Sequence, residues 1–329
     1  MKRLTCACGQ TVFFDNLSCG NCGRQLGFDA SLLTMQSEAQ PGAGLPFCAN
    51  RSGASRCNWL ATADSADGTC LSCRTSKIIP SLKKRSGRQR WRKLEQAKRR
   101  LIYTLLRLGL PVDPSRLKFV FKEDQRTNPD VQDDHVNIGH ANGVITINAA
   151  EADAVYREQM RQQMNEPYRT LLGHFRHESG HYYFNVVVGP DKLAEARTLF
   201  GDETADYANA LQQHYTNGPP AGWEDQYISS YASSHPAEDW AECWGHYLHI
   251  CAVLESADAS GLRTGLQISA WQTEFIDLVI AINEVLRSMG LPDAYPFVIT
   301  EHIAKKIEFV HQCVSSFSGR RDAPSMAAS

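Results

Sequence analysis

The spacing of apolar and polar positions changes along the chain, and those changes divide it. From Trp91 onward, apolar residues recur at Leu94, Leu101, Leu105 and Leu108 and stop near Gly109-Leu110-Pro111, which predicts a helix. Residues 117–122 and 144–148 are β-branched or alternating runs, with Asn142-Gly143 as a hairpin turn ahead of the second, and they predict a small antiparallel sheet. Beyond Ala150 helical periodicity dominates, with helices expected over 151–164, 167–187, 191–200, 204–215, 236–257, 268–289 and 300–317. Before residue 79 no such period exists, and Cys, Gly, Ser and Asn prevail. The expected fold class is therefore α+β: a Cys-rich domain over 1–78, a basic linker over 79–90, a mostly helical domain with a small sheet over 91–317, and a flexible tail over 318–329.

Composition refines this picture. The 329 residues, 43% hydrophobic and 21% charged, suffice for two domains and a sizeable core. The most apolar helix, 275–286, is broken by Asp277, Asn283 and Glu284 and falls short of the roughly 20 apolar residues of a membrane span. No apolar stretch follows Met1-Lys2-Arg3, so no secretory signal and no membrane are expected, and the expected compartment is cytoplasmic. The net charge of −2 conceals eleven Lys/Arg against Glu95 alone in residues 77–100.

Eleven cysteines are an odd number, and eight of them precede residue 74, which favours metal over disulfides. Cys6-Ala7-Cys8 and Cys19-Gly20-Asn21-Cys22 have nearly the spacing of a Cys₄ zinc ribbon, and Cys48, Cys57, Cys70 and Cys73 supply a second tetrad. Spacing alone leaves interleaved pairing open. A segment this short with few large apolar residues needs metal to fold, so these two zinc ions are expected to be structural.

His177-Glu178-Ser179-Gly180-His181 is an HExxH motif in a helical context. Residues four apart share a helix face, so both imidazoles can address one ion, with Glu178 beside them. HExxH also arises by chance and needs a third ligand. Metzincin spacing would require His and Gly where Val187 and Phe184 stand. Gluzincin sites take a Glu from a later helix, and Glu238, followed one turn on by Glu242, provides it, with Pro236 suited to the first turn. Glu242 is then placed to accept a hydrogen bond from a ligand imidazole. His174, His246, His249, His135 and His140 are assigned no metal, and Cys243, Cys251 and Cys313 are expected to be buried small hydrophobes.

The Cys-rich start, WRKLEQAKRRLIYTLL from Trp91, GVITIN from Gly143, HFRHESGHYY from His174 and HPAEDWAECWGHYLHI from His235 together resemble a bacterial family described as putative zinc-binding metallopeptidases with an N-terminal zinc ribbon. The resemblance implies a zincin-like gluzincin metalloendopeptidase acting on peptide or protein substrates. Its catalytic zinc would be held by His177, His181 and Glu238, with Glu178 as general base towards a zinc-activated water. Tyr231, seven residues before Glu238, matches a tyrosine that assists the reaction in several gluzincins, and His235 is a weaker candidate for the same role. Two other readings stand beside this one: a zinc-ribbon nucleic-acid-binding protein, suggested by Lys83-Lys84-Arg85 through Lys98-Arg99-Arg100, and an inactive zincin scaffold, against which the presence of Glu178 argues. The ribbon is also a candidate surface for a protein partner.

Overall fold

The computed structural model describes residues 1–37, 45–265 and 270–322. The described residues form two compact units, one drawn from 1–37, 45–107, 111–175 and 255–265, the other from 108–110, 176–254 and 270–322. No described helix is long and apolar enough to cross a membrane.

The first unit begins with two small antiparallel ribbons, β1 (Leu4–Thr5) with β2 (Thr11–Val12) and β3 (Leu26–Asp29) with β4 (Thr34–Ser37). A single-turn helix α1 (Leu71–Arg74) follows, then strand β5 (Ser76–Ile78) and the long helix α2 (Arg85–Arg107). Helix α2 starts six residues before Trp91, inside the segment expected to be a linker. Gly87 explains how: a Cβ there would lie 1.8 Å from the Ser81 carbonyl oxygen, so only glycine lets the preceding loop fold back onto the first turn. Phe14 and Phe28 pack at 5.0 Å, Phe28 and Trp59 at 4.9 Å, and Tyr103 of α2 closes the cluster 5.3 Å from Phe14. The Cys-rich region thus shares its core with α2.

Strands β6 (Lys118–Lys122), β7 (Gly139–Ala141) and β8 (Val144–Asn148) complete a four-stranded sheet in the order β5-β6-β8-β7. The hairpin expected at Asn142 and Gly143 forms, joining β7 and β8 in antiparallel fashion with these residues at positive φ of 50° and 79°, but the two strands expected from sequence, β6 and β8, pair in parallel instead. The other pairs, β5 with β6 and β6 with β8, are parallel, so the sheet is mixed. The cause is connectivity: α2 is the crossover that returns the chain to run β6 alongside β5 in the same sense. Helix α3 (Ala154–Gln163) closes this stretch.

The remaining helices are α4 (Leu171–Val187), α5 (Pro190–Phe200), α6 (Tyr207–Asn217), α7 (Pro236–Ser260), α8 (Trp271–Ser288) and α9 (Glu301–Asp322). Residues 268 and 269 of the expected seventh helix, and 323–329 of the expected tail, lie outside the described residues, whereas 318–322 continue α9. In the second unit Trp240 and Trp244 of α7 anchor the packing, donating indole N–H bonds to the Gly180 carbonyl at 2.9 Å and to Ser179 Oγ at 3.0 Å. A Cβ on Gly180 would meet the Ala241 Cα at 2.9 Å, so glycine lets α4 and α7 approach closely.

Candidate metal centre

On α4 the four-residue spacing brings the His177 and His181 rings to 5.1 Å, and α7 presents Glu238 from its first turn. Glu238 Oε2 lies 2.9 Å from His177 Nε2 and Oε1 lies 3.5 Å from His181 Nε2. One donor atom each from His177, His181 and Glu238 lies within 4.8 Å of the others. Bonds of about 2.0–2.2 Å to a tetrahedral ion set neighbouring donors about 3.3–3.6 Å apart, which the 3.5 Å pair already matches, while the 2.9 Å pair has to open by about half an ångström to admit zinc. Glu242, one turn later, contacts the other side of His177, with Oε1 2.6 Å from Nδ1. An Nδ1–H donated there leaves the Nε2 lone pair directed at the three-donor cluster. Ser229 Oγ in turn donates to Glu242 Oε2 at 2.7 Å.

Two carboxylates converge on His177 and change its affinity for protons. Burial alone would lower the His177 pKa, but its hydrogen bonds with Glu238 and Glu242 outweigh burial and hold it well above the usual value. Burial likewise opposes ionisation of Glu238, yet His177 and His181 pull it far below the usual carboxylate range. Glu178 is buried at 7% exposure, its Oε2 has no hydrogen-bond partner among the described residues, and burial raises its pKa. A carboxylate left with an unused buried oxygen beside three converging donors is poised to hold a proton.

Each cysteine tetrad is gathered around a point of its own. Cys6 and Cys22 have sulfurs 3.7 Å apart, as do Cys8 and Cys19. In the second tetrad Cys48 and Cys73 are separated by 3.7 Å and Cys57 and Cys70 by 3.6 Å. Tetrahedral zinc with bonds of about 2.3 Å separates its sulfurs by about 3.8 Å, so both sets fit the metal without interleaving. The Cys70 and Cys73 amides point at Cys48 and Cys70 sulfurs, at 3.3 and 3.4 Å. The tetrads differ in exposure: Cys8 and Cys22 face solvent, while all four members of the second are buried.

Tyr231 sits with its ring 6.0 Å from that of His177. His235 has a helix-entry role, its Nδ1 accepting from the Ala237 amide at 3.0 Å. Among the remaining histidines, His174 lies 3.5 Å from Glu151, and His246 bonds the Tyr295 hydroxyl at 2.7 Å, burial lowering its pKa to about 4. His140 accepts from the Gly143 amide in its own hairpin. Sequence reasoning missed Tyr207, whose hydroxyl donates to Glu238 Oε1 at 2.7 Å from 31 residues away. No periodicity or motif signals such a contact.

Comparison with known proteins supplies the family. Uncharacterised proteins of Mycobacterium bovis and of two strains of Mycobacterium tuberculosis are each 43% identical over 326 residues, spanning 93% of both chains. No solved structure gives a significant match. A zinc-ribbon domain matches residues 3–84, and the family described as "Putative zinc-binding metallo-peptidase" matches residues 87–313, so the chain belongs to that zinc-binding family and carries an N-terminal zinc ribbon.

Proposed function

We propose that the chain is a gluzincin-type zinc metalloendopeptidase that hydrolyses peptide or protein substrates. The observation that carries this reading is the buried Glu178 carboxylate, its Oε2 unpartnered among the described residues, beside the convergent donors of His177, His181 and Glu238. Zinc bound there would acidify a water towards a pKa of about 7 and polarise the scissile carbonyl. Glu178 takes the proton of the attacking water, a task its burial suits by raising its affinity for protons, and hands it on to the leaving amine. Glu242 keeps the His177 ring and tautomer in place. Tyr231, close to that ring, donates its hydroxyl to the developing oxyanion. The two cysteine tetrads hold structural zinc. Their ribbon, with two exposed cysteines, offers a surface to a protein partner.

Glu178→Gln removes the base and keeps the metal donors. Incubated with a proteome-derived peptide library and read by mass spectrometry, wild-type protein should cut peptides, and the variant should be slower by about 10²–10⁴-fold with unchanged zinc content. Equal cleavage by the two proteins would overturn the assignment.

A further inference from the structure

Tyr207 opens α6 immediately after Asp206, whose carboxylate caps the helix by accepting from the Asn209 amide at 3.1 Å. The approach to Tyr207 is clamped. His235 Nε2 bonds the Ala205 carbonyl at 3.1 Å, and the His235 and Tyr207 rings pack edge to face at 5.1 Å. From this clamped position the phenol reaches Glu238 Oε1 at 2.7 Å, the same oxygen that lies 3.5 Å from His181 Nε2.

On the peptidase reading above, we propose that Tyr207 is a positioning residue that fixes the orientation of the metal-binding carboxylate of Glu238. A carboxylate rotates readily about its last bond and can exchange its two oxygens. Glu238 Oε2 has His177 as a neighbour, but Oε1 is steadied by Tyr207, so the phenol fixes which oxygen faces each imidazole. Hydrogen-bond partners of metal ligands typically contribute about 10–100-fold in metal affinity or activity.

The test uses full-length zinc-loaded protein and Tyr207→Phe, which keeps the ring against His235 and deletes the hydroxyl. In chelator competition, with Glu238→Ala marking the loss of that single zinc, Tyr207→Phe should hold this ion about 10–100-fold more weakly while the cysteine-bound zinc is unchanged. On a library-identified peptide, kcat should drop at least about tenfold with KM within about threefold. Wild-type zinc affinity or a change in KM alone would each overturn the proposal. The zinc measurement needs no turnover. A protein that cleaves nothing yet loses zinc affinity on Tyr207→Phe would sink the peptidase reading and leave the role of Tyr207 towards Glu238 standing.

Discussion

Glu238 and Glu242 stand one helical turn apart, and the structure gives them different atoms of the same imidazole. Glu238 shares the Nε2 side with His181, whereas Glu242 takes Nδ1, which faces away from the three donors. Glu238→Ala should therefore lose one zinc per chain, and Glu242→Ala should keep it at saturating metal with binding or activity down about 10–100-fold. Matched metal titrations of the two variants check this, and the reverse pattern would exchange their roles. The sequence proposes the same order for these two glutamates, because both lie on one helix with fixed spacing from each other and from Tyr231. Tyr207 was not legible, because its position depends on how α6 packs, and packing between distant segments leaves no local pattern.

Among the elements, sequence periodicity located every long helix, and Pro236 marked the first turn of α7, but it missed the first turn of α2 and the direction of most strand pairing. Helix α2 shows why. Its first turn contains no acid and carries Arg85 and Arg88, against the preference of a helix N-terminus for negative charge, so no start signal was visible. The same helix sorts the basic segment. Arg90 pairs with Glu123 and Asp153, Lys98 with Glu95, and Arg100 with Asp15, whereas Lys77, Lys83, Lys84, Arg85, Arg88, Arg92 and Lys93 face solvent. Any binding of duplex DNA must rely on this outer set, so it should be weak, indifferent to sequence and steeply salt-dependent. Fluorescence anisotropy should show the log–log salt slope falling by about 0.9 for each phosphate contact removed by Lys/Arg neutralisation. Gly180 makes a separate prediction, because α4 and α7 meet where a Cβ has no room. Gly180→Ala should destabilise the protein by about 1–3 kcal/mol in urea unfolding and loosen the zinc held between these helices. A variant as stable as wild type would show that the contact yields freely.

At the scale of the whole molecule, three donor clusters predict about three zinc ions per chain, to be checked by elemental analysis. They should not leave together: under a chelator the tetrad with exposed Cys8 and Cys22 should empty before the buried one, and simultaneous release would count against that difference. The two-part organisation was legible in the abrupt change from Cys-rich to periodic sequence. The shared core was not, since Ile102 and Tyr103 look like ordinary positions of an amphipathic helix until their packing against Phe14 and Phe28 is seen. Burying each such side chain contributes about 1.5–3 kcal/mol. The fusion of ribbon and α2 in one core bears on how the chain can be rearranged, by experiment or by descent. The cysteine motifs look like a cassette that ends at its last metal ligand, but a transplant cut there would leave Phe14 and Phe28 without the helix that covers them. Because β5 in turn pairs with β6, and Arg90 of α2 with Glu123 and Asp153, the smallest exchangeable module runs on through the four-stranded sheet, and grafts of that length onto other proteins should stay soluble where shorter ones aggregate.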